Sequence, residues 1–300
     1  MDCSTLATTW TSLAETAKIL ILTEAARMPL AERIKADNQP YAASVMILDI
    51  GTEPYEAAMH SLSPDDLLLV LLTVDGFMQK GYRETFSPFS KPDGCESKYI
   101  FIRLDIPEAS LLSGLNTAIA KAEHIIRDCE AFTPGKTVRV TTAAGTDITM
   151  QVDYQELLPY HARERGGHAF LPPAEISEEL VPGSANGVIV ADITVGELRF
   201  GAALIDSLGL VDEPVRITVE HGLVKNIEGG SIARRLQDGL NRLDKSLQTL
   251  VELGHGLSDL TPTGIIGVDE SMNGTCHFGI GSRDPYHVDV VVANPTIAIV

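Results

Sequence analysis

Cysteine and positive charge are scarce in this chain, and it has no long apolar run; each lack removes a class of protein. The four cysteines (Cys3, Cys95, Cys129 and Cys276) form no CxxC pair. That is too few and too irregular for a disulfide framework or a zinc ribbon, so isolated thiols, buried or on the surface, are expected. Lys and Arg number 23 against 41 Asp and Glu, a formal net charge of −18. Such a field repels phosphate backbones, so nucleic acid is not an expected partner. No apolar run approaches the roughly 20 residues of a membrane span; the longest, Leu67–Val74 (LLLVLLTV), has the length of a strand. The beginning, MDCSTLATTW, has neither a basic flank nor an apolar core of the secretory kind. A cytoplasmic protein without a membrane partner is therefore the expectation. Nucleotide-binding glycine loops are missing as well: no GxGxxG and no GxxxxGK[ST] occurs.

What the chain does have is an ordinary globular composition, 44% hydrophobic and 21% charged over 300 residues, enough for one or two domains with real cores. Up to about residue 130, short apolar runs alternate with helical patterns. Lys18–Thr23, Ser44–Ile50, Leu67–Val74 and Lys98–Leu104 read as strands. Pro29–Ala36, Tyr55–Ser61 and a long stretch over Pro107–Asp128 read as helices. This alternation predicts an α/β, Rossmann-like layered domain with a parallel sheet, over residues 1–133. After Pro134-Gly135 the texture changes to strand–turn–strand patterns (136–142 with 146–152, 187–193, 215–220 with 223–227). One helical stripe interrupts them, expected to run from Ser231 to Leu253. A β-rich (α+β) domain is therefore expected over residues 134–300.

The chemistry concentrates at the end. His287 and Asp289 are two apart in an extended apolar run, so strand alternation points an imidazole and a carboxylate to one face. His277 sits in another short β-like run, CHFGIG, which a neighbouring strand can bring alongside. Imidazole and carboxylate together suit zinc, iron, cobalt or manganese.

Several segments in order carry a family resemblance. They are Thr141-Thr-Ala-Ala-Gly-Thr-Asp147, Phe170-Leu-Pro-Pro-Ala-Glu-Ile176, Pro182-Gly-Ser-Ala-Asn-Gly187 and Val219-Glu-His-Gly-Leu-Val-Lys-Asn-Ile-Glu-Gly-Gly230, followed by Val268-Asp-Glu-Ser-Met-Asn-Gly-Thr-Cys-His277 and His287-Val-Asp289. The set resembles the aminopeptidase T-like (M29) metallopeptidase family and its relatives, which include 2,5-dihydroxypyridine 5,6-dioxygenase. The likeness runs from about residue 131 to 297. By position, the resemblance implies a two-metal site (Zn, Co or Mn) held by Glu175, Glu252, His277, His287 and Asp289, with Glu270 as a general base or an outer group. It implies hydrolysis of N-terminal peptide bonds, a small peptide or other small-molecule substrate, and a homodimer. The dioxygenase branch implies instead a single Fe(II) that opens a hydroxylated aromatic ring; a non-catalytic metal-binding relative is the third reading. Glu175 heads a glutamate-rich run that equally suits a solvated loop. Glu252 falls at the end of the expected long helix, and His255 in Leu253-Gly254-His255 competes with it for the same ligand place. Two departures from the family stand out: only ten positions separate His277 from His287, and Ala174 replaces the glycine before Glu175.

Overall fold

A computed structural model describes residues 3–200, 203–282 and 287–300, without the side chains of 199, 200 and 203. The chain divides into two compact units, residues 1–117 with 158–174, and residues 118–157 with 175–300. In chain order the first unit contains β1 (Lys18–Thr23), α1 (Met28–Asn38), β2 (Ser44–Asp49), α2 (Glu56–His60), β3 (Leu67–Leu71), α3 (Val74–Gln79), β4 (Lys98–Ile102) and α4 (Glu108–Leu115). The chain then supplies α5 (Ile119–Cys129), β5 (Thr137–Thr141) and β6 (Asp147–Leu157) to the second unit, and returns to the first as β7 (His168–Leu171).

The five strands of the first unit form a parallel sheet in the order β2-β1-β3-β4-β7. This is the expected α/β layered fold, and the strand order is that of a doubly wound sheet. The central strands β3 and β4 are buried along their whole length, as continuous rather than alternating apolar runs require. Lys98 is a charged residue inside β4. Its Nζ donates to the carbonyls of Ala162 (3.0 Å), Arg163 (2.6 Å) and Glu164 (2.9 Å), so the ammonium is satisfied although burial pushes its pKa down.

A single division at 133/134 does not describe this arrangement. β7, which follows the hairpin strands in sequence, pairs parallel with β4 from Tyr99↔His168 to Ile102↔Leu171, so residues 158–174 belong with the first sheet. The helix expected over Pro107–Asp128 is two helices, α4 and α5. Asn116 ends the first: its backbone N–H and its side-chain Nδ2 both reach the Leu112 carbonyl, a local competition with helical bonding.

The second unit continues with β8 (Glu175–Leu180), β9 (Asn186–Ala191), β10 (Thr194–Phe200), β11 (Ala203–Leu210), β12 (Val215–Glu220), β13 (Leu223–Glu228), α6 (Ser231–Leu240), β14 (Leu250–Gly256), α7 (Ile266–Asp269), β15 (Thr275–Gly281), β16 (His287–Ala293) and β17 (Thr296–Ile299). Its main sheet follows the order β11-β10-β16-β15-β14-β8-β6-β9-β12-β13, with β5 and β17 branching from β6. The β-rich expectation holds. The helix expected over Ser231–Leu253 instead stops at Leu240, where the Gln248 side chain donates to the carbonyls of Leu240 and Leu243. Residues 250–256 then become a strand paired on both sides, with β8 and β15; these two ladders override the helical spacing of the leucines.

Among the described residues no helix is long and apolar enough to cross a membrane.

Candidate metal centre

Four neighbouring strands, β8, β14, β15 and β16, carry all five expected ligands. Their register decides which side chains share a face. Ser177 lies opposite Gly254, which lies opposite His277; Glu252 lies opposite Gly279, which lies opposite Asp289; Gly256 faces Glu175, and Gly281 faces His287. With side chains alternating along each strand, Glu175, Glu252, His277, His287 and Asp289 all project from one side of the sheet. Glu252 thus stands in mid-strand, not at a helix end, and Glu175 begins a strand rather than lying in a loop.

The glycines across the ladder make this convergence possible. A Cβ added to Gly254 would overlap the His277 ring, and one on Gly279 would lie 2.6 Å from His287 Nε2. Each imidazole therefore leans over a residue without a side chain and reaches the next strand. The alternation Gly254-x-Gly256 and Gly279-x-Gly281 is the sequence signal for this floor.

Two backbone carbonyls orient the rings. His277 Nδ1 is 3.2 Å from the Glu270 carbonyl oxygen, and His287 Nδ1 is 3.1 Å from that of Ser282. A carbonyl only accepts, so both Nδ1 atoms carry protons and both Nε2 atoms face the carboxylates. His277 Nε2 lies 3.2 Å from Glu175 Oε2 and 3.9 Å from Glu252 Oε1. His287 Nε2 lies 2.9 Å from Asp289 Oδ1 and 3.3 Å from Glu252 Oε2. The donors form two groups, Glu175–Glu252–His277 and Glu252–His287–Asp289, each with its ligand atoms within 4.8 Å of one another, and Glu252 belongs to both.

Glu270 follows the short helix α7, and its carbonyl holds the His277 ring. The preceding residue anchors that turn: the fully buried Asp269 carboxylate accepts from Thr194 Oγ1, Thr263 N, Thr263 Oγ1 and Gly264 N. The carbonyls of Glu270 and Ser282 are not foreseen by the ligand pattern, since main-chain groups leave no mark in composition or spacing, and the Asp269 anchor is not foreseen because its partners Thr194, Thr263 and Gly264 meet it only in the fold.

The five side chains also interact with one another as a network of ion pairs. Burial alone would lower His277, but Glu175, Glu252 and Asp289 outweigh it and hold the ring up at about 10. His287 is raised well above its ordinary value against the same burial, chiefly by Asp289 and Glu252. For Glu252, burial raises the carboxyl, and hydrogen bonds from the two imidazoles overcome it, leaving it well below the usual carboxylate range.

His255 takes no part in this cluster. It pairs with Ile176 and Cys276 in the ladders, so it projects from the opposite side of the sheet, with its Nε2 2.7 Å from Glu178 Oε2. Between Glu252 and His255, the competitors for one ligand place, the sheet puts Glu252 in the cluster.

Comparison with known proteins agrees with this architecture. The structure of 2,5-dihydroxypyridine dioxygenase from Pseudomonas putida KT2440 superposes with a TM-score of 0.61 at 15% identity, over 99% of this chain and 92% of that one. AmpT from Thermus thermophilus superposes with a TM-score of 0.58 at 13% identity, over 99% of this chain and 94% of that one. At such identities the likeness is one of fold. No curated protein sequence matches the chain. The family described as NicX, 2,5-dihydroxypyridine 5,6-dioxygenase, matches residues 102–262, more than half of the sequence, and the chain belongs to that family.

Proposed function

We propose that this protein is a metal-dependent hydrolase of the aminopeptidase kind, with Glu175, Glu252, His277, His287 and Asp289 as ligands of two divalent cations. The observation that carries the reading is the sharing of Glu252 between two three-residue groups; a carboxylate with one oxygen toward each histidine is placed to bridge two ions. The donors fit such ions. Both Nδ1 protons are spent on backbone carbonyls, which leaves Nε2 as the coordinating atom. The set contains oxygen and nitrogen but no sulfur, which suits Zn, Co, Mn or Fe(II).

When bound, two such ions polarise a carbonyl and lower the pKa of a water molecule. The chain's own residues supply position and charge. Three carboxylates with two neutral imidazoles leave two divalent cations one positive charge in excess, which favours an electron-rich substrate oxygen. The Glu270 carbonyl keeps the proton of His277 on Nδ1, and the Glu270 carboxyl is assigned the role of proton carrier on the strength of its sequence position. The substrate on this reading is a small peptide or an aminoacyl amide.

A second reading, Fe(II)-dependent opening of a hydroxylated pyridine ring, is favoured by the family match over residues 102–262. That match includes Glu175 and Glu252 and ends before His277, His287 and Asp289. Two imidazoles and one carboxylate are also a set that holds a single iron.

Metal analysis coupled to turnover separates the readings. Two equivalents of Zn, Co or Mn per chain, with hydrolysis of aminoacyl amides, support the hydrolase. One equivalent of iron, with oxygen uptake on 2,5-dihydroxypyridine, replaces it by the dioxygenase. Metal bound without either activity reduces the protein to a non-catalytic metal-binding relative. Cytoplasmic residence and a homodimer are proposed alongside; fractionation and sedimentation test them.

A further inference from the structure

The face of the sheet opposite the candidate centre carries a second convergence of donors, and it differs in one respect: it contains sulfur. Cys129, at the end of α5, Glu178 on β8 and His255 on β14 place their ligand atoms within 4.8 Å of one another. All three are buried: Glu178 is fully enclosed, and Cys129 and His255 are 3% and 6% exposed. We propose that Cys129, Glu178 and His255 form a second metal site, which takes a zinc-like divalent cation through thiolate, carboxylate and imidazole.

The surroundings hold the three donors in place. Gln155, opposite Glu178 in the β6–β8 ladder, donates from Nε2 to Glu178 Oε1 (2.9 Å) and to the backbone carbonyl of Cys129 (2.9 Å). One side chain therefore fixes the carboxylate and the cysteine relative to each other, as outer groups of metal sites do. Phe132 stacks on the His255 ring at 5.6 Å and 22° and closes the site on that side. Cys276 lies across the ladder from His255, fully buried, and is a further thiol on the same face.

Charge and chemistry favour a cation here. A thiolate, a carboxylate and a divalent ion sum to zero, the condition for stability in a core. The 2.7 Å contact between His255 Nε2 and Glu178 Oε2 is occupied by a proton that the ion would replace. On binding, this proton and the Cys129 thiol proton pass to solvent, and no electron changes hands. Sulfur with imidazole selects zinc or cobalt over the harder cations that carboxylates alone would take. Complete enclosure points to a structural ion, acquired as the unit folds.

The test uses the sulfur. The full chain is produced in cobalt-supplemented medium, and its near-ultraviolet absorption is recorded for a thiolate-to-cobalt(II) charge-transfer band. The carboxylate–imidazole cluster on the other face has no thiol and cannot produce one. The expected result is a band in the wild type that persists in His287→Ala and disappears in Cys129→Ser and in His255→Gln, with the loss of one cobalt equivalent per chain. A cobalt-loaded wild type without the band overturns the proposal, whatever the variants do, and leaves the reading of the other face standing. A band that survives Cys129→Ser, folded as judged by circular dichroism, overturns it too, because the sulfur would then be another cysteine.

Discussion

The His277 ring lies over Gly254, its partner across the β14–β15 ladder, in space that any side chain there would occupy. The sheet thus positions a histidine by omitting a side chain on the next strand. Gly254→Ala is expected to displace the ring from Glu175 and Glu252 and to weaken metal binding about 10- to 100-fold, the usual effect of disturbing a ligand's support. Titration of the metal-free variant with zinc, read against wild type, checks it. Unchanged affinity would mean that His277 is not held by this contact.

The sharing of Glu252 makes an unequal prediction for two carboxylates. Glu175→Ala is expected to lose one of two bound cations, because only one of the donor groups includes it. Glu252→Ala is expected to lose both, because it belongs to each. Elemental analysis per chain decides. Equal losses in the two variants would remove the bridging role.

In the first unit, the buried Glu24 carboxylate accepts from Thr73 N (2.9 Å), Thr73 Oγ1 (2.8 Å) and Lys80 Nζ (2.7 Å). Burial raises its pKa, but these partners outweigh burial and hold it below the ordinary glutamate value. A carboxyl with a depressed folded value stabilises the fold above its unfolded pKa, and this contribution is lost as pH falls through the folded value. Glu24→Gln is expected to cost about 1–3 kcal/mol at neutral pH, with the gap to wild type narrowing on acidification below about pH 4. Trp10, the single tryptophan, is buried in the same unit and bonded to the Leu115 carbonyl, so its fluorescence follows urea unfolding there. A pH-independent difference would show that charge on Glu24 is not what stabilises the unit.

Lys98 offers a test of the returning segment 158–174. Lys98→Met keeps the bulk of the side chain but strips three carbonyls of their donor. The expected destabilisation is about 3 kcal/mol, the order of leaving buried acceptors unsatisfied. Urea unfolding by Trp10 fluorescence reads it directly, since Ala162 N bonds the Trp10 carbonyl. A neutral substitution would mean that water replaces the ammonium.

Much of this was legible in the amino-acid order. The apolar runs inside β1 (Ile19–Leu22), β3 (Leu67–Leu71) and β4 (Tyr99–Ile102) signal a sheet buried on both faces, because such a sheet hides four or five consecutive hydrophobes in so short a length. His287-x-Asp289 signals a shared face through the two-residue period of a strand. The ligand set of five depended on family resemblance, and the structure brings all five residues together. Longer apolar stripes misled. Leucines from 231 to 253 keep a helical spacing, yet the segment changes from helix to strand within it, since pairing on both edges outweighs local propensity.

The amino-acid sequence by itself determined the strand–helix alternation of the first unit, the β-rich character of the second and the shared face of His287 and Asp289, because local periodicity and side-chain chemistry are encoded residue by residue. Only the tertiary structure decided that 158–174 joins the first sheet, that Glu252 and not His255 faces the cluster, and that Cys129, Glu178 and His255 meet beneath it. Those outcomes depend on strand register, and register is set by ladders between segments far apart in the chain, where a shift of one residue would turn every side chain to the other face.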